Sequence, residues 1–269
     1  MHSENDTTAQ HDAIREAMGG LVVCPIDLGT PGMRILDSGT GDGYWLLDLI
    51  TRHSALKNAI LMGTDIQDAK FPKDSSTSSI SFHVQSITKA WPTEWKRSFD
   101  FVHQRLVLGA CGSFPFDEAV DNLAELVKPG GWIQLIEPDQ TCGITDGPAM
   151  RDFITLVTFV FEDMGGHVRY AYDVKRWLLE AGMVDVEERS IPLFLGASIP
   201  DKDLARRTAR STADAMLPLL KYLEMKNCPP PLSQDALETL VSRLYDELLE
   251  KGGFYPLRVI YGRCPLSVS

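Results

Sequence analysis

Residues Asp37-Ser38-Gly39-Thr40-Gly41-Asp42-Gly43 set three alternating glycines beside two acids. Glycines at that spacing let a backbone approach a ligand that side chains would block. They fall where an apolar run ends and a helical pattern of Trp45, Leu46, Leu49 and Ile50 begins, and a strand, a tight turn and a helix in that order make a nucleotide-type site. The spacing fits a dinucleotide poorly: the G-x-G-x-x-G fingerprint needs a third glycine where Tyr44 stands. Charge argues the same way. Two carboxylates beside a helix N-terminus repel a pyrophosphate and favour a cation, and Asp37, at the strand tip, is the residue expected to meet it.

A further acid completes the pattern. Asp65 lies 22 residues beyond Gly43, near the ~20-residue offset at which an acid reaches ribose hydroxyls in such folds. Ile66 beside it is placed for an adenine face. In an open α/β sheet the ligand crevice lies at the carboxyl ends of the strands, so the polar strand ends are where chemistry is sought.

The elements that must position these residues read as α/β. Short runs rich in Ile, Val and Phe at 33–38, 59–64, 80–85, 99–103 and 132–137 alternate with amphipathic stretches, as strands of a parallel sheet do with crossover helices. Lys128-Pro129-Gly130-Gly131 reads as a turn that stops a helix and leads into the fifth strand. Beyond 140 the pattern predicts helices over 149–164, 171–181, 201–224 and 233–251, with strands at 184–195 and 255–262. Residues 1–140 then form the cofactor-binding half with a helical leader. Residues 141–269 supply the rest of the sheet and a helical substrate lid, whose moving parts are 140–170 and 200–253.

Composition narrows the partners. The 269 residues carry a formal net charge of −11, whereas a phosphate-gripping surface needs clustered Lys and Arg, so nucleic acid is not expected. No apolar run approaches the ~20 residues of a membrane span, and the N-terminus is polar and acidic, which points to the cytoplasm or the nucleus. Cys24, Cys111, Cys142, Cys228 and Cys264 are scattered without zinc-site spacing, and they read as reduced core thiols with no metal.

Together these residues resemble the class I methyltransferases, and more narrowly the fungal LaeA-like and secondary-metabolite enzymes. The likeness rests on ILDSGTGDGYWLLDL, FDFVHQRL at 99–106, LVKPGGWIQLIE at 126–137 and VIYGR at 259–263. It also includes the leader residues Gln10, His11, Met18, Gly19, Gly20 and 25–28. The resemblance implies a Rossmann-like seven-stranded sheet with an antiparallel last strand and helical cap insertions. It implies S-adenosylmethionine as methyl donor, which carries an ammonium and a sulfonium and no phosphate, and S-adenosylhomocysteine as product. Asp37, Gly39, Thr40, Gly41 and Gly43 would then cradle the methionine part, with Ser38 and Trp45 beside them. Asp65, Ile66, Ser86 and Ile87 would hold the ribose and adenine, and His103, Gln104 and Arg105 would line the methyl-transfer end. One departure stands out. Where related sequences often place an acid after the third strand, this chain has the neutral Gln85 and Ser86, weaker acceptors for an adenine amino group.

Methyl transfer from a sulfonium needs positioning and exclusion of water more than it needs a base. Where the acceptor holds a proton, the base candidates at strand ends are His103, Glu137 and Asp139, with His167 in the lid. Each has an ordinary structural use as well, and Arg105 suits positioning or an ion pair. Large side chains in the cap (Phe153, Phe159, Phe161, Tyr170, Trp177, Met216, Tyr222) suit a small apolar acceptor. The methylated atom, O, N, S or C, stays open. So do two other readings: a regulator or non-methylating cyclase on the same fold, and, against the Tyr44 argument, a nicotinamide-dependent oxidoreductase.

Overall fold

The computed structural model describes residues 4–72, 79–141, 147–226 and 229–266. Cys142 and Cys228 lie outside them, while Cys24, Cys111 and Cys264 are buried and free. The strands are β1 (Arg34–Ser38), β2 (Ile60–Asp65), β3 (Ile80–Val84), β4 (Phe99–Arg105), β5 (Val127–Pro138), β6 (Val184–Leu195) and β7 (Gly253–Arg263). They form one seven-stranded sheet in the order β3-β2-β1-β4-β5-β7-β6. β1 pairs in parallel with β2 and β4, β2 with β3, and β4 with β5. β7 runs against β5: Cys264 exchanges backbone bonds with Gly130 and Gly131, and at the other end the Asp139 amide donates to the Pro256 carbonyl.

The helices are α1 (Glu4–Met18), α2 (Tyr44–Arg52), α3 (Phe116–Ala124), α4 (Pro148–Asp163), α5 (Tyr170–Glu180), α6 (Lys202–Asp214), α7 (Met216–Lys226) and α8 (Gln234–Lys251). Two units emerge. One holds residues 21–137, 170–190 and 258–269; the other holds 1–20, 138–169 and 191–257.

In the sheet unit, the alternation that marks a half-buried strand is missing from β4, whose first six residues are all buried. That is expected of a central parallel strand covered on both faces. Ile35, Leu61 and Phe101 join Trp45, Leu46 and Leu49 of α2 in one apolar cluster with Leu21, Cys24 and Tyr261. Each such side chain contributes roughly 1.5–3 kcal/mol on burial. Gln134 fastens the entering chain over this face, its amide donating to the Leu21 carbonyl and accepting from the Val23 N–H. The KPGG stretch is not a turn: it lies inside β5, which begins at Val127. Gly130 takes φ +80°, and a side chain at Gly131 would meet the Asp100 carbonyl at 2.8 Å. Those glycines therefore serve an irregular stretch of strand, where the register against β4 shifts between Phe99 and Phe101.

In the helical unit, α1 packs on α6, α6 on α8, and α4 on α8 and α7. Ala9 and Ala13 of α1 and Ala205 and Ala209 of α6 are buried, and such small residues allow close helix approach. Asp12 and Arg207 pair across this contact. The leader helix, placed with the cofactor half by sequence, thus clusters with these helices. It ends in a Schellman motif, Gly20 bonding back to Arg15 and Gly19 (φ +70°) to Glu16. The single helix expected over 201–224 is two, α6 and α7, because Pro218 lacks an N–H and its ring would clash with the Asp214 carbonyl in a continuous helix.

No side chain of α4's own N-cap serves its first amides. Glu247 of α8 does so instead, accepting from Ala149 N (3.1 Å) and Met150 N (2.9 Å). Removing a buried acceptor leaves two donors unsatisfied, at about 1–3 kcal/mol. Glu247→Ala is therefore expected to lower the urea midpoint and raise hydrogen exchange at the start of α4; an unchanged midpoint would remove Glu247 from the cap.

Candidate active site

The parallel register gathers the expected site residues. Asp37 lies opposite Gly63 on β2 and His103 on β4, and Ser38 opposite Thr64 and Gln104. Asp65 ends β2. Its carboxylate ties two strand tips together by accepting from the Gly41 N–H (2.9 Å) and from the Ile66 N–H (2.8 Å). Asp42 accepts from Tyr44 N at the start of α2.

The three loop glycines all have positive φ but answer to different constraints. A methyl group on Gly39 would overlap the Val107 side chain, and one on Gly43 would come within 2.6 Å of the Phe82 ring. At Gly41 such a group meets nothing within 4 Å. Packing accounts for the first two glycines, while the open side of the loop lies at the third.

Asp37 is 3% exposed. One oxygen bonds His103 Nδ1 (2.7 Å) and the other accepts from the Thr40 hydroxyl (2.7 Å). His103 is stacked face to face on Trp45, centroids 3.8 Å apart. Burial lowers the His103 pKa from its usual 6.5, outweighing the upward pull of Asp37, which favours the neutral imidazole beside the Asp37 carboxylate. Trp45, 4% exposed, supports this stack from within the core. Under the same loop, three buried polar atoms have no hydrogen-bond partner among the described residues: His103 Nε2, Gln104 Nε2 and Thr64 Oγ1. Such a concentration is unusual in a finished core and is what a polar ligand or ordered water would satisfy.

Glu137, at the end of β5, is fully buried. Its Oε1 accepts from Val107 N (3.1 Å) and Leu108 N (3.0 Å), and its Oε2 from the Tyr170 hydroxyl (3.0 Å). Burial pushes its carboxyl up to about 7 against the lowering effect of those donors. Burial and the Glu137 charge hold Tyr170 well above its usual range, so it remains a donor. Tyr170 and Trp177, expected in the cap, belong instead to the sheet unit, where both stack with Phe116.

The remaining candidates scatter. The Asp139 carboxylate accepts from the Thr141 amide and hydroxyl, and His167 is exposed in the helical unit. Ile66 is 68% exposed at the tip of β2, as a residue kept for a ligand face would be, while Ile87 is buried. Gln85 donates its amide to the Ser86, Lys89 and Ala90 carbonyls, and the Ser86 hydroxyl bonds Thr88. Arg105 closes β4 half-buried. Among the described residues no cluster of His, Cys, Asp or Glu could hold a metal, and no helix is long and apolar enough to cross a membrane. Sequence reasoning missed Phe82, Val107 and the hydroxyl of Tyr170. All three act through shape or long-range pairing, which local spacing does not encode.

Glu137 sets a pH dependence of stability. Its folded pKa, about 7, lies above its ordinary 4.5, so the folded state binds the proton more tightly. The group's contribution is greatest in acid, falls as pH rises from about 4.5 to about 7, and is flat above. Glu137→Gln removes that fall, which should shrink the loss of unfolding free energy between pH 5 and 8 by about 2–3 kcal/mol. Denaturant titrations at both pH values check this; parallel wild-type and variant profiles would contradict it.

Comparison with known proteins agrees with the geometry. Residues 10–199 match the methyltransferase domain family. The N-methyltransferase sirN of Leptosphaeria maculans is 35% identical over 258 residues, 95% of this chain and 89% of that one. The N-methyltransferase tcpN of Claviceps purpurea is 34% identical over 268 residues, 97% and 94% of the two chains. Among solved structures, a phosphoethanolamine N-methyltransferase of Haemonchus contortus in complex with S-adenosyl-L-methionine superposes with a TM-score of 0.51 at 13% identity. That match covers 96% of this chain and about half (52%) of the larger enzyme, and it speaks for the fold. With a family match across most of its length and a sheet ordered to suit it, the chain belongs to the class I S-adenosylmethionine-dependent methyltransferases.

Proposed function

We propose that this enzyme methylates a nitrogen atom of a small, largely apolar secondary metabolite, using the 37–43 loop and the tip of β2 to hold S-adenosylmethionine. The observation that carries the reading is the open side of the loop at Gly41, next to the half-buried carboxylate of Asp65. The anionic Asp37–His103 pair and the orphaned polar atoms beneath the loop fit a cationic, hydrogen-bonding cofactor. When bound, the cofactor supplies a methyl carbon on a sulfonium, and transfer to an acceptor lone pair leaves S-adenosylhomocysteine.

The residues then divide the work. Asp65 meets the ribose hydroxyls while it holds Gly41, and Ile66 offers its exposed side chain to the adenine. Asp37 supplies negative charge near the ammonium, with Thr40 and His103 fixing the orientation of its carboxylate. Among the base candidates, Glu137 and Asp139 already accept hydrogen bonds from their own chain. Proton removal from a neutral amine is easy once its nitrogen has become cationic, so water suffices. Nitrogen as the acceptor is favoured by the names of the two relatives, both N-methyltransferases. The helical unit, with Phe153, Phe159, Phe161, Met216 and Tyr222, is the part we assign to acceptor choice.

A panel of amine, phenol and thiol metabolites incubated with methyl-labelled cofactor tests the reading directly. Label is expected on nitrogen, and label confined to oxygen or sulfur would overturn the acceptor assignment.

Two variants test the cofactor site. In Gly41→Val the new Cβ meets no described protein atom within 4 Å, but a β-branched residue resists φ +59°, so the variant is expected to fold with its loop displaced and to lose S-adenosylhomocysteine binding in calorimetry; unchanged affinity would disprove the role of the loop. Asp65→Ala should weaken binding by ~1.5–3 kcal/mol, roughly ten- to a hundredfold, with Asp65→Asn milder. If both Asp65 variants bind like wild type, the ribose lies elsewhere.

A further inference from the structure

We infer that Glu137 is a positioning residue for the cofactor: it fixes the turn at 106–108, whose Val107 side chain closes against Gly39 and so shapes the inner wall of the glycine loop. The inference rests on the cofactor reading given above and assigns that site a determinant outside the loop.

Leu106 begins the turn with φ +59°, a left-handed conformation that a leucine rarely adopts. A backbone held there persists only where its surroundings over-determine it. Here they do. Three successive amides are captured by the last residues of β5: Leu106 N by the Ile136 carbonyl (2.8 Å), then Val107 N and Leu108 N by the single oxygen Oε1 of Glu137. The other oxygen is pinned by Tyr170, itself 1% exposed and stacked on Phe116, so the carboxylate cannot turn away.

The turn then reaches the loop through one side chain. Val107 occupies the space where any residue but glycine at 39 would put its Cβ, and Gly39 is at φ +71°. Moving Val107 opens a gap behind the loop, and moving the loop displaces the amides and carbonyls a ligand would meet. A carboxylate that accepts three hydrogen bonds from its own chain transfers no proton in this role. Its contribution is to hold two amides at a fixed place. An amide oxygen can do that too; an aliphatic side chain cannot.

The test is calorimetric titration of S-adenosylhomocysteine at pH 8 into wild type, Glu137→Leu, Glu137→Gln and Val107→Ala, below the melting temperature of each. Initial rates over a range of S-adenosylmethionine accompany it. Glu137→Leu is expected to bind about tenfold more weakly or worse, Val107→Ala about threefold, and Glu137→Gln within about threefold of wild type. The loss should appear in the KM for the cofactor, with kcat at saturation nearly unchanged. A residue that only stabilises the fold would move the melting temperature and leave this split untouched. Glu137→Leu binding within twofold of wild type overturns the inference alone, and so does a tenfold loss in Glu137→Gln. If Glu137→Leu does not fold, Val107→Ala decides, and unchanged affinity there overturns it. Wild-type protein that does not bind S-adenosylhomocysteine overturns the cofactor assignment, and this inference with it.

Discussion

The chain must turn from β1 into α2 within a few residues, and the candidate site is built around that constraint. Three glycines meet it, each from a different direction. Gly39 makes room for a side chain arriving from beyond β4 and Gly43 for the Phe82 ring on β3, while at Gly41 no described residue comes within 4 Å of where a Cβ would lie. Neighbouring strands thus meet at the loop as well as along their ladders. The single hydrogen bond from Gly41 to Asp65 ties the tip of β2 to the same point.

Charge follows the same economy. A neutral imidazole and a hydroxyl hold the Asp37 carboxylate without cancelling its charge. Had His103 been cationic, the pair would offer a positive ligand no attraction. Burial of the histidine, secured by its stack on Trp45, is therefore what preserves the acid's effect. The same low-polarity setting acts oppositely on Glu137, where it favours the protonated form.

Much of this was legible in the sequence because it is local. The glycine spacing, the apolar runs at 33–38 and 99–103 and the offset to Asp65 each follow from a few neighbouring residues. Boundaries were blurred where a local rule met a tertiary one. Gly130 and Gly131 look like a helix stop, yet pairing with Cys264 carries them into β5. Pro218 marks the break between α6 and α7, but apolar spacing on both sides masks it. The contacts of Val107 with Gly39 and of Glu137 with Tyr170 join residues far apart in sequence, and their types alone offered no pairing. Tyr170 in particular reads as another cap aromatic until its hydroxyl is seen on Glu137.

The division of the chain has a consequence for how such an enzyme can change. It passes from one unit to the other at residues 20, 137, 169, 190 and 257, so neither unit is a continuous stretch of sequence. Recombination cannot exchange the helical unit as a cassette, and a C-terminal truncation at residue 137 that spares the glycine loop also removes β6 and β7 from the sheet. Folding is constrained too: α1 must find α6, nearly two hundred residues further along the chain. Such delayed, distant pairing slows folding and lengthens the time that apolar helix faces stand exposed.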